Sequence, residues 1–323
     1  MTQYTNLHEI DLSLAVWLVH DDYDFQPSER AISATALLKP IRQIILASRV
    51  TGEALEDLSG RIAMRMGHAI HDSIEHAWKT GYARSLAKLN LPQKVIDRFI
   101  INPKPEDLKP DSIPVYIEVR GHRKVGDWIV AGKLDMSING RLKDAKTTSV
   151  FTYIKGSKDE DYRLQLSIYK WIHHDKVTEN EGDIQFLFTD HQKSMVNTIA
   201  GYPPIKVLSH TVSLYSDQET ENWIMSKIED LMQYKDAPQD ALPRCTDEEL
   251  WRSADVHKYY SDPNKTDGRA TKNFDSLIEA NNYLAEKKKG VVKTVPGQVK
   301  ACLYCPAFEI CEQRKEYSFD DRS

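Results

Sequence analysis

Residues 131–148 read AGKLDMSINGRLKDAKTT, two strand-like runs separated by Asn139-Gly140. Asn-Gly between such runs is a strong hairpin signal, because a two-residue type I′ turn needs positive φ at both central positions. With that turn Ile138 faces Arg141, Asp135 lies across from Asp144, and Lys133 lies across from Lys146. Strand positions two apart share a face, so all four charged side chains gather on one side. Directly opposed side chains sit about 4.5–5.5 Å apart at Cβ, where like charges destabilise the pair. Two acids at that spacing suit a shared hard cation such as Mg²⁺, which takes carboxylate oxygens and keeps several waters. Lys146 on the same face can orient a water or stabilise an oxyanion. A solvated hairpin with cross-strand salt bridges would carry the same residues, so the hairpin alone leaves both readings open.

Working outward, PVYIEVR (114–120), DWIVAGKLDMSI (127–138) and RLKDAKTT (141–148) form three strand candidates. A helix around 160–174 follows, then strand candidates DIQFLFTD (183–190) and IKVLSHTVSLY (205–215). Ser216 and Glu219 have capping-box spacing and open a helix running to about Tyr234. Upstream, a helix over roughly 61–80 contains RIAMRMGHAIHDSIEHAW, with Ala63, Met66, Ile70 and Ile74 as its apolar stripe. The order helix, three strands, helix, strand predicts an α/β fold with a mixed sheet and helices on its faces. Residues 1–60 look mainly helical, broken at Pro40, and 101–114 form a Pro-rich connector. From about 236 the chain looks irregular and polar, with a short helix near 274–287. Three regions are expected: 1–60, 61–235 and 236–323.

The 323 residues are 41% hydrophobic and 28% charged, an ordinary globular composition. No apolar run approaches the roughly 18 residues that cross a membrane, and the N-terminus lacks a basic stretch followed by an apolar one. A soluble intracellular protein is expected. Net charge is −5 and pI about 6.1, which excludes a basic nucleic-acid-binding module as the whole chain. Two local patches, Arg120/His122/Arg123/Lys124 and Lys287/Lys288/Lys289, read as solvated faces unless they flank a site.

Two further helices supply company for the hairpin. Gly67, His71 and Glu75 align at i+4 steps, and Gly67 removes bulk one turn before His71. A lone helical histidine is more often packing or surface than ligand. Gln165 and Tyr169 share a face beside Leu164, Ile168 and Ile172, and could equally be a helix edge. Taken in order, Gly67-x-x-x-His71, Gly132-Lys-Leu-Asp135, Asp144-Ala-Lys146 and Gln165-x-x-x-Tyr169 resemble the RecB-like branch of the PD-(D/E)XK nucleases, over about 61–215.

That resemblance implies a restriction-endonuclease-like αβββαβ core and cleavage of DNA phosphodiesters with Mg²⁺ or Mn²⁺, by an exonuclease or a DNA-end or single-strand processing enzyme. It implies that His71, Asp135, Asp144 and the Ala145 carbonyl hold the metal and that Lys146 is the catalytic lysine. Gln165 and Tyr169 would position the DNA backbone. Glu118, on the preceding strand, would be an acid behind the metal or at a second one. DNA is the implied partner, with recombination or replication proteins beside it. A non-cleaving DNA-binding or scaffolding protein and a restriction-type endonuclease are the alternatives on the same fold.

Four cysteines are too few for a disulfide scaffold at this length. Cys302, Cys305 and Cys311 fall within ten residues in ACLYCPAFEIC, with Cys245 upstream in LPRCTDEELW. In an intracellular chain such clustering points to metal. The tail is similar to the four-cysteine modules of AddB-type subunits and CRISPR-associated nucleases, which implies a [4Fe-4S] cluster on four thiolates. Structural Zn²⁺ is the alternative, and reduced cysteines in a small core the third reading. Those relatives place their first cysteine ahead of the nuclease motifs, before a Pro, where this chain has Lys39-Pro40; Cys245 would serve instead. Phage-encoded nucleases of this kind share the CTxEExW-like segment, which implies phage or mobile-element origin and a host cytoplasm.

Overall fold

The computed structural model describes residues 3–20, 30–52, 55–156 and 158–319. In chain order come β1 (Gln3–Thr5), α1 (Leu12–Val19), β2 (Ala31–Ser33), α2 (Ala34–Leu37), α3 (Ile41–Arg49) and β3 (Leu55–Asp57). Then follow α4 (Ile62–Lys88), α5 (Gln93–Ile96), β4 (Phe99–Ile101), β5 (Ile113–Val125), β6 (Trp128–Ile138) and β7 (Arg141–Thr148). Next are α6 (Val150–Lys155), α7 (Asp159–Ile172), β8 (Glu181–Phe188), β9 (Val207–Ser213) and α8 (Asp217–Tyr234). The chain closes with β10 (Val256–Tyr260), β11 (Lys272–Phe274), α9 (Leu277–Lys287) and β12 (Val291–Val295). Two compact units result, one of residues 1–38 and 53–229, the other of 39–52 and 230–323.

The first unit is built on a mixed sheet in the order β4-β5-β6-β7-β8-β9, with β2 alongside β6. β5, β6 and β7 pair antiparallel, β7 and β8 parallel, and β8 and β9 antiparallel. A parallel pair needs a crossover, which α6 and α7 supply. The main core lies between this sheet and α7, where Leu134, Leu142, Ile184 and Phe186 meet Leu166, Ile168 and Trp171. Opposite, Val115, Ile117 and Met136 pack against Ile74 and Trp78 of α4. α8 starts as its sequence dictates, with Ser216 N–H donating to Glu219 Oε2 at 2.8 Å and Glu219 N–H to Ser216 Oγ at 3.2 Å.

The hairpin register follows from the turn residues. Ile138 pairs Arg141, Ser137 pairs Leu142 and Met136 pairs Lys143. Asn139 and Gly140 carry φ of 49° and 82°, as the type I′ geometry requires. The ladder stops there, one step before Asp135 and Asp144. The other half of β6 finds a different neighbour, since Ile129, Val130 and Ala131 pair with Ala31, Ile32 and Ser33 of β2. Gly132-Lys-Leu-Asp135 therefore spans a fork between β7 and β2, without a strand partner on that edge among the described residues.

Side-chain alternation also breaks beside this fork. Ile117 pairs Met136 and Val119 pairs Leu134, but no bridge joins Glu118 and Asp135, and Glu118 has a φ of 53°. A non-glycine residue there costs on the order of 1–3 kcal/mol. The consequence is that two successive residues on each strand, Ile117/Glu118 and Asp135/Met136, turn toward α4. An apolar pair and an acidic pair thus sit side by side on one face, which strict alternation forbids.

One expectation needs an addition and another a correction. Helices α1, α2 and α3 outweigh the strands among the described residues of 1–60, but β1, β2 and β3 also lie there; three-residue strands are too short to leave a periodic pattern. Residues 256–295 are not irregular but form a three-stranded sheet in the order β11-β10-β12, covered by α9 through Tyr259, Phe274 and Tyr283. Of the apolar stripe on α4, Met66 is 48% exposed; the inward line instead runs through Gly67, His71, Ile74 and Trp78. No helix of the described residues is long and apolar enough to cross a membrane.

Candidate active site

The fork in the sheet opens onto a cleft lined by His71, Glu118, Asp135, Lys146, Gln165 and Tyr169 among others. α4 delivers His71 because Gly67 lets the helix come close; a Cβ at Gly67 would stand 3.3 Å from Thr147 Oγ1 on β7. α7 approaches from the other side. Gly132 permits that approach, since a Cβ there would stand 3.0 Å from both the Tyr169 ring and Ile172.

His71 occupies an unusual position between oxygens. Its Nε2 lies 2.9 Å from the Ala145 carbonyl oxygen and its Nδ1 lies 3.3 Å from Asp135 Oδ2. A neutral imidazole carries one N–H. One of those two contacts must therefore set a nitrogen lone pair against an oxygen, unless a second proton or a metal cation intervenes. The His71, Glu118 and Asp135 ligand atoms all lie within 4.8 Å of one another. Asp135 Oδ2 is buried and accepts no hydrogen bond, whereas Asp144 meets the Lys146 ammonium through both oxygens.

The electrostatics follow from this crowding. Burial, then the Asp144 carboxylate, with Glu118 adding to both, hold the Asp135 carboxyl well above the usual carboxylate range; Lys146 pulls the other way. Lys146 Nζ lies 2.8 Å from Asp144 Oδ2 and 3.0 Å from its Oδ1. Burial works against the Lys146 charge, yet Asp144 and Asp135 outweigh it and raise the ammonium above its ordinary value. Lys133 pairs instead with Glu118. Gln165 Nε2 donates to Tyr169 Oη at 3.3 Å. Burial pushes the Tyr169 phenol up to about 12, against the Gln165 hydrogen bond, so it stays a protonated donor at neutral pH.

Of the residues that the motifs single out, His71, Asp135, Lys146, Gln165 and Tyr169 line one cleft together with Glu118. Asp144 is buried beneath Lys146, and Glu118 stands within 4.8 Å of His71 and Asp135. The basic patch at 120–124 divides. Arg120 lines the cleft, whereas Arg123 donates to the Trp171 carbonyl at 2.9 Å and faces Asp217 and Glu221. Arg65 was not singled out, although it lines the cleft and its guanidinium donates to the Trp17 carbonyl at 3.0 Å.

In the second unit, Cys245, Cys302, Cys305 and Cys311 line a single cavity, together with Pro40, Arg42, Gln43 and Leu46 of the α3 segment. Burial, then Glu249 and Cys311, push the Cys245 thiol up to about 12. Burial, then Cys305 and Cys311, raise Cys302 to about 11. Such thiols stay protonated unless a cation compensates their burial. Among the described residues, only His71, Glu118 and Asp135 bring three His, Cys, Asp or Glu ligand atoms within 4.8 Å, so no three sulfurs approach that closely.

The frame of this cavity was not legible beforehand. Gln313 accepts from the Cys245 N–H and donates to the Cys245 carbonyl, both at 2.9 Å. Gln239 repeats the arrangement on Ile310 and Glu312, at 2.8 and 3.0 Å. The buried Arg42 guanidinium donates to the carbonyls of Gln239, Leu242 and Pro243. Lys39, in the position where the resemblance puts a cysteine, exerts its charge on Cys305.

No family model matches this sequence, and no curated protein does. Among solved structures, the crystal structure of SSO0001 matches at a TM-score of 0.41 and 16% identity, over 67% of this chain and 81% of that one. The crystal structure of a phage related exonuclease from Haemophilus somnus 129PT matches at a TM-score of 0.26 and 13% identity, over 52% of this chain and 80% of that one. Neither likeness is close enough to assign a fold family or an activity.

Proposed function

We propose that the protein is a divalent-metal-dependent DNA nuclease of the RecB-like PD-(D/E)XK kind, acting on DNA ends or single strands. The observation that carries this reading is the His71–Asp135 contact: a buried carboxylate oxygen without a hydrogen bond, facing an imidazole whose other nitrogen already meets a carbonyl. That donor set of one imidazole, carboxylate oxygens and a carbonyl fits Mg²⁺ or Mn²⁺. The helix, three antiparallel strands, crossover helix and parallel strand from α4 to β8 support a restriction-endonuclease-like core.

His71, Asp135 and Asp144, with the Ala145 carbonyl, would hold the metal, and Glu118 stands beside them. When bound, the metal would offset the negative charge of the phosphodiester and acidify a water. Lys146 keeps its proton because the Asp144 and Asp135 carboxylates favour the charged form, so it acts as a fixed positive donor toward a phosphate oxygen or the attacking water. Gln165 and Tyr169 offer donors on the α7 wall and orient the DNA backbone.

Four cysteines lining one cavity fit a [4Fe-4S] cluster on four thiolates, with structural Zn²⁺ as the alternative. A cluster there would tie Cys245 to the C-terminal segment, and its ligation would release the protons that burial holds on the thiols.

The test is cleavage of end-labelled linear and circular DNA, single- and double-stranded, with Mg²⁺, Mn²⁺ or EDTA. Metal-dependent cutting of linear DNA, lost in the Asp135→Ala/Asp144→Ala protein, is expected. No cutting under any condition would favour a non-cleaving DNA-binding protein, and cutting of circular duplexes at fixed sequences a restriction-type enzyme.

A further inference from the structure

Lys133 is the one cleft lysine that the proposed mechanism leaves without a task. It sits on β6 two residues before Asp135, projecting from the fork, and its ammonium pairs with Glu118. The two lysines at the site are held differently. Lys146 binds a carboxylate whose side chain is 3% exposed, whereas Lys133 is 43% exposed on a flexible stem. Glu118 itself belongs to the trio whose ligand atoms lie within 4.8 Å. It is therefore placed to bind a cation but already has one.

We propose that Lys133 holds the place of a second divalent cation and limits the site to one metal, an inference that rests on the metal site proposed above. The charge count supports it. Asp135, Asp144 and Glu118 contribute three negative charges, and Lys133 and Lys146 two positive ones. One divalent ion brings these five groups to +1, with Arg65, Arg120 and Asp72 also lining the cleft. A second ion beside an ammonium would meet like charge at the separation where such repulsion is strongest. Glu118 becomes a ligand only when the Lys133 ammonium is gone. The left-handed backbone of Glu118 keeps its carboxylate turned into the site in either state, so the choice rests with Lys133.

Manganese binding to the full-length protein without DNA tests this, counted by electron paramagnetic resonance and by calorimetry. Wild type is expected to bind one ion, Lys133→Met two, Lys133→Arg one, and Lys133→Met/Glu118→Gln one. Lys133 is half exposed, so its loss leaves no internal void; Lys133→Gln serves as a second neutral variant, with circular dichroism confirming the fold. Two ions in wild type, or one ion in both neutral variants, would overturn the inference while leaving the metal site standing. No manganese bound to wild type would instead reject the metal site itself.

Discussion

Replacing Asp135 by asparagine should stabilise the metal-free protein. Asp135 is half-buried beside Asp144 and Glu118, with one buried oxygen lacking any hydrogen bond. At the 4.8 Å that bounds the Glu118 and Asp135 ligand atoms, two unit charges repel by about 3.5 kcal/mol at an effective dielectric of about 20. Lys133 and Lys146 cancel much of this, leaving a net gain of about 1–2 kcal/mol. For a unit of this size that corresponds to a rise in Tm of about 2–8 °C in EDTA. The gain must depend on pH. The folded-state affinity of Asp135 for a proton lies above its unfolded value of 3.8. Its contribution to stability is therefore complete below that value and is lost as pH rises through the folded titration. Wild type and variant should melt together in acid and diverge as the pH rises. Saturating Mn²⁺ should reverse the order, because only wild type gains the linkage stabilisation of about 2.7 kcal/mol at a hundredfold excess over Kd. Calorimetric melts across pH, with and without Mn²⁺, read both effects. A wild type more stable than the variant in EDTA at pH 8, or a gap that ignores pH, would refute the reasoning.

Three further changes probe other parts of the molecule. Lys146→Ala should cut DNA cleavage by roughly 10²–10³-fold, and should lower metal-free stability by about 3–5 kcal/mol in denaturant titrations because Asp144 is left buried without its cation. Gly132→Ala should cost about 1–3 kcal/mol through overpacking against Tyr169 and Ile172, and should weaken cleavage because Tyr169 moves; unchanged Tm and activity would contradict the close approach of α7. Gln313→Ala should lower anaerobically purified iron well below about four atoms per chain by freeing Cys245 from both its hydrogen bonds. Colourless wild type with stoichiometric zinc would reject the cluster instead.

Much of the site was legible because its determinants are local. Asn139-Gly140 sets one register, and that register alone brings Asp135 toward Asp144. Gly67 announces a close approach by lacking a side chain, whereas the approach of α7 at Gly132 shows only in the fold. What the sequence hid depends on tertiary context. Nothing in PVYIEVR marks Glu118 as left-handed, so strict alternation misplaces it relative to Asp135. β2 completes an edge of β6 with three residues, too few to show a period. The sheet at 256–295 escaped because Lys258 and Lys293, paired across its strands, make those segments look like polar coil. Gln239 and Gln313 carry no motif, although each imitates a piece of β-ladder.

The most direct measurement is a crystal soaked in Mn²⁺ and examined by anomalous scattering. One peak is expected between His71, Asp135 and Asp144, at about 2.1–2.3 Å from the ligand atoms. Empty density there, with Asp135 and Asp144 turned to separate surroundings, would contradict the account.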